Sequence, residues 1–135
     1  METTYQLSEY LTPGGTYRLE AQRYRPGSRE AWEELCHKTL KRLGITPNYI
    51  SYHQLLSAVT LARLRPDSLF SITKNLYAVI AREYGTCWKA VERNISSAAA
   101  LAWERNPALL QELAGFPLNT RPKASQFIAL LADSL

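Results

Sequence analysis

Glu92, Arg93 and Ser96 follow Lys89 at distances of three, four and seven residues, within the stretch 84-YGTCWKAVERNISSAAALAW-103. On an α-helix that spacing puts all four side chains on one face. The chemistry of the set suits base-edge recognition. Arginine can fork onto guanine O6 and N7, glutamate can accept from cytosine N4, lysine can take guanine or phosphate, and a serine hydroxyl can serve either role. The opposite face carries Val91, Ile95, Ala98 and Ala102, so the helix has one side to bury and one side to present.

Such a face can act only if a neighbouring element holds it clear of the domain. Upstream, Ile72, Leu76, Val79 and Ile80 predict a shorter helix that Gly85 closes, with Asp67, Ser68 or Ser71 as its cap. Tyr84-Gly85-Thr86 then forms a tight link, and Thr86 is expected to cap the long helix. Two helices joined by a short turn containing glycine describe a helix-turn-helix, whose second helix offers its N-terminal residues to the major groove. Helix starts at Ser71 and Thr86 would bring free amides to phosphates. The pattern alone equally suits an αα-hairpin whose charges are merely solvated.

Around this unit the text is helical. Ser28 can cap a first helix with Leu35, Leu40 and Leu43 on its inner side, ending at Gly44. Asn48 after Pro47 predicts a second, with Ile50, Leu55, Val59 and Ala62 recurring until Pro66. Asn106-Pro107 is a cap followed by proline at the first helical position, opening a fifth helix that stops at Gly115. A sixth carries Phe127, Ile128, Leu131 and Leu135, after the irregular loop "FPLNTRPK". Only residues 4–24 alternate like strands, around "TPGG", which predicts a short hairpin or else a flexible arm. The expected fold is all-α: a six-helix domain over 29–135 containing a helix-turn-helix at about 71–103, with a β-hairpin or arm at 1–28. Arg23 and Arg25, beside Tyr24, could lie in an adjacent minor groove; packing on the domain or pairing with a second copy is the competing role for the arm.

With 135 residues, 46% of them hydrophobic, and a net charge of +4, one globular domain with a real core is expected, and a polyanionic partner is compatible but not required. No signal peptide and no membrane span are read, so a soluble, cytoplasmic chain is expected. Cys36, His37, His53 and Cys87 have none of the usual zinc-ligand spacings. No nucleophile triad, paired carboxylates or glycine-rich phosphate loop appears, so neither an enzyme, a metal, a cofactor nor a small-molecule substrate is expected.

The runs 71-SITKNLYAVIA-81, 91-VERNI-95 and 121-RPKASQFIALLADSL-135 resemble the C-terminal DNA-binding domain of the stage-zero-A sporulation response regulators of endospore-forming bacteria. The resemblance extends from about residue 33 to the end. It implies a six-helix domain that binds double-stranded DNA at short boxes, often as head-to-tail pairs, and touches RNA polymerase sigma factor. Carried over, Glu92 and Arg93 fall on base-reading positions, and Ser71 and Lys74 fall near phosphates. Residues 106–115 fall on the polymerase-facing region, and residues 127–135 near a dimer contact. The sequence departs from the family pattern in three places. Ser96 and Ser97 stand where it usually carries arginine and histidine, Trp88 stands where it is usually small, and the loop from Gly115 to Pro122 is shorter. No phosphoacceptor receiver is read in the first thirty residues. The resemblance implies a nucleoid-associated transcription regulator; the competing class is a protein-interaction module that keeps the fold, binds DNA weakly and modulates a relative or the polymerase.

Overall fold

A computed structural model describes residues 26–135, with side chains from Glu30 onward. The arm, the expected hairpin over 4–24, and Arg23 and Arg25 lie outside the described residues. Among those described there are six α-helices and no strand: α1 (Pro26–Arg42), α2 (Ile50–Leu64), α3 (Ala78–Tyr84), α4 (Trp88–Arg105), α5 (Pro107–Ala114) and α6 (Ala124–Ser134). A 3₁₀ turn (Pro66–Leu69) and a π-helical turn (Thr73–Tyr77) lead into α3.

α2 is the hub. Eleven of its fifteen residues are buried, including Leu55, Ala58, Leu61 and Ala62, and it packs against both α4 and α6. A helix buried on nearly every side belongs at the centre of a bundle. Two of its buried polar groups find partners in its neighbours, while the buried Ser57 hydroxyl has none among the described residues. Trp32 Nε1 of α1 donates to Thr60 Oγ1 at 3.2 Å, and Asn94 Nδ2 of α4 donates to Gln54 Oε1 at 2.9 Å. Outside this layer the Arg63 guanidinium lies 4.5 Å from the centroid of the Trp32 ring, a cation–π contact over the ring.

Several details differ from the sequence reading. α1 is already helical at Pro26, two residues before Ser28, so Ser28 lies inside the helix and does not cap it. Its inner stripe is Trp32, Cys36, Leu40 and Leu43, and Leu35 is 43% exposed. α2 starts at Ile50, itself 53% exposed, with Tyr49 rather than Asn48 at its cap position. No side chain caps the start of the π-helical turn; Ser71 acts there through its carbonyl, which accepts from Asn75 N at 2.8 Å. α4 is capped at Cys87, one residue beyond Thr86.

Other features follow the reading closely. Val91, Ile95, Ala98 and Ala102 are fully buried. Asn106 Oδ1 accepts from Leu109 N at 3.1 Å, and α5 runs from Pro107 to a left-handed Gly115. The same Asn106 donates through Nδ2 to the Arg42 carbonyl at 2.9 Å, tying the start of α5 to the end of α1.

Candidate nucleic-acid interface

The turn between α3 and α4 is built by hydrogen bonds. Gly85, at φ +65°, adopts the left-handed conformation that spares glycine a steric cost. Its N–H donates to the Arg82 carbonyl at 3.4 Å, and Thr86 N donates to the Ala81 carbonyl at 2.9 Å, the paired bonds of a Schellman motif. The reversal leads directly into α4. Cys87 stands at its N-cap in an extended conformation, and the amides of Ala90 and Lys89 hold its thiol below the ordinary range. Beneath the pair of helices Tyr77 is fully buried. Desolvation, with the Glu92 charge adding to it, pushes its hydroxyl up to about 12.

Because Val91, Ile95 and Ala98 face inward, Lys89, Glu92 and Arg93 face outward and are exposed, with Ser96 half-buried and Ser97 exposed beside them. The Lys89 ammonium lies 5.8 Å from the centroid of the Trp88 ring, so the indole supports the lysine at the tip of the helix. Among the described residues no carboxylate pairs with Arg93. Lys89, Glu92, Arg93, Ser96 and Ser97 line one concavity of about 540 Å³, together with Ala100. Ser71, Lys74, Thr86 and Trp88 are also exposed but lie outside it.

The concavity has a second wall, which the sequence reading missed: Arg121 and Lys123, carried by the segment between α5 and α6. In 121-RPKA-124 the side chains alternate between exposed and buried, with Pro122 and Ala124 turned inward. Two basic residues two apart, straddling a proline just before a helix, are a signal that was present but hidden in an irregular loop.

Residues 36–135 match the family described as Sporulation initiation factor Spo0A C terminal. The chain belongs to that family. Spo0A C-terminal domains are DNA-binding domains of sporulation regulators, a transcription-factor family and not an enzyme family, and an exposed, largely cationic face on the second helix of a helix-turn-helix accords with that membership.

The remaining candidates have structural duties. His37 Nδ1 bonds the Tyr52 hydroxyl at 2.8 Å, and His53 Nε2 donates to the Pro47 carbonyl at 2.8 Å. Cys36 is buried, and desolvation pushes its thiol up to about 12. Among the described residues no three of His, Cys, Asp and Glu converge as a metal site. No helix among them is long and apolar enough to cross a membrane.

Proposed function

We propose that the domain is a transcription regulator that reads a short promoter box through α4. Glu92, Arg93, Lys89 and Ser96 would meet base edges, while Ser71, Lys74, Thr86, Trp88 and Ser97 would hold the flanking backbone. The observation that carries this reading is the outward projection of Glu92 and Arg93, opposite a stripe whose Val91, Ile95 and Ala98 are wholly buried. In this reading residues 29–135 form the DNA-binding unit of a cytoplasmic, nucleoid-associated protein. In the same reading Arg23 and Arg25, ahead of α1, reach the minor groove, and α5 faces RNA polymerase sigma factor. Pairs of copies occupy tandem boxes, with α6 near the contact between them.

A mobility shift at two salt concentrations tests the reading. Expected are a steep loss of affinity with salt, a preference for one box recovered from randomised duplexes, and loss of that preference in Arg93→Ala. A good base contact contributes about 1–3 kcal/mol of discrimination, roughly tenfold to hundredfold. The second reading, an interaction module for the polymerase or a full-length relative, draws on Phe70, which is 90% exposed at the entrance to the helix pair. Absence of binding at micromolar protein and low salt would favour it.

A further inference from the structure

A helix about 10–12 Å across fills a major groove about 12 Å wide. The sugar–phosphate strand that borders the groove must then run along the flank of the helix. An element standing beside the recognition helix leaves a cleft, and that strand is what the cleft receives. Here the cleft is the concavity between α4 and the α5–α6 segment. Its walls carry Lys89 and Arg93 on one side and Arg121 and Lys123 on the other, and its floor is made of Ser96, Ser97 and Ala100. Short floor side chains let a backbone approach closely, and the hydroxyls can donate to phosphate oxygens. Glu92 is the one carboxylate of the lining; it repels phosphate and is suited to a base edge instead.

The second wall is held in place before any ligand arrives. Gln111 of α5 donates to the Phe116 carbonyl and accepts from Leu118 N at 2.8 Å, pinning the start of the segment. At its end Lys123 N donates to Gln126 Oε1 at 3.4 Å, and buried Pro122 and Ala124 fix the backbone between the two charges. Among the described residues neither Arg121 nor Lys123 has an ion-pair partner.

Resting on the DNA reading above, we propose that Arg121 and Lys123 grip the phosphates of the strand bordering the recognition helix, so that the α5–α6 segment sets the depth and register of α4 in the groove. These are positioning contacts without sequence information.

The test is a salt titration by fluorescence anisotropy of two labelled duplexes of equal length, one carrying the selected box and one scrambled. The unaltered chain is compared with Arg121→Gln/Lys123→Gln, with Arg93→Ala, and with Lys38→Gln/Lys41→Gln, which removes the same charge from α1. Each phosphate contact contributes about 0.9 to the slope of log K against log salt. The Arg121/Lys123 variant should therefore flatten the slope by about 1.8 and weaken both duplexes on the order of tenfold per contact at 0.1 M salt. The ratio between the duplexes should stay unchanged. The α1 variant should keep its slope, and thermal melts should confirm that every variant is folded. A slope equal to that of the unaltered chain, or one flattened as much by the α1 variant, overturns this proposal while the Arg93→Ala result still upholds base reading. If the unaltered chain binds neither duplex, the DNA reading itself falls and this proposal with it.

Discussion

Gly44→Ala and Gly85→Ala form a matched pair whose difference isolates one contact. Both glycines have positive φ, +92° and +65°, so a Cβ costs about 1–2 kcal/mol of backbone strain at either site, offset by about 0.4–1 kcal/mol through the unfolded chain. At Gly85 nothing lies within 4 Å of the new Cβ, and the net cost should be about 1 kcal/mol. At Gly44 the new Cβ would stand 2.5 Å from Arg105 Cδ and 2.9 Å from Arg105 Cβ. The long side chain can swing away, but in doing so its guanidinium gives up donation to the Gly44 carbonyl at 2.6 Å and to the Tyr49 hydroxyl at 3.2 Å. The Arg105 Cβ cannot swing, because it is fixed to α4. Overpacking of this kind costs about 1–3 kcal/mol, and the lost exposed hydrogen bonds about 1 kcal/mol more. Gly44→Ala should thus cost about 3–5 kcal/mol, a large part of a typical domain stability of about 5–15 kcal/mol. Urea unfolding followed by circular dichroism measures both variants, and Gly44→Ala/Arg105→Ala should recover part of the loss by clearing Cδ. Equal midpoints for Gly44→Ala and Gly85→Ala would refute the overlap argument.

Asn106→Ala removes the cap of α5 and the donor to the Arg42 carbonyl together. The cap contributes about 1 kcal/mol and the second bond about 0.5–1.5 kcal/mol, so the urea midpoint should fall by the equivalent of about 2 kcal/mol. The two thiols should behave oppositely. With Cys87 exposed and its thiol held low, and Cys36 buried and pushed up to about 12, iodoacetamide at pH 7.5 should label Cys87 in the native chain and Cys36 only after unfolding, as read by mass spectrometry. The sign of the pH effect follows from the raised groups. Between pH 9 and 12 an unfolded chain releases the Cys36 proton while the folded chain keeps it, and Tyr77 behaves alike from about pH 10. These two groups therefore add no pH dependence below pH 9 and lower stability above it, and the Cys36→Ala/Tyr77→Phe variant should flatten that fall.

The long helix and its inner stripe were legible because Val91, Ile95, Ala98 and Ala102 keep one period for about three turns without a competing signal. Asn106-Pro107 and Gly115 were equally plain, since cap, first-turn proline and left-handed glycine each have a local cause. Leu35 was misread as inward because period alone cannot weigh it against Trp32 and Cys36, whose burial is decided by what α2 offers across the interface, and Ile50 because it stands at the very first position of α2. The π-helical turn at Thr73–Tyr77 has no signature in composition. Half of the candidate cleft was hidden for a related reason. Arg121 and Lys123 are distant in sequence from α4, and only the docking of α6 against α2 and α4 brings their wall to it.

From Lys89 to Arg105 α4 spans about 24 Å. Its far end is moored to the α1–α2 corner by Arg105 and, through Asn106, to the end of α1. A rod moored at its tail turns a small tilt there into a larger sweep at its tip. Substitutions at the α1–α2 corner can therefore re-aim the exposed face of Lys89, Glu92 and Arg93 without touching it.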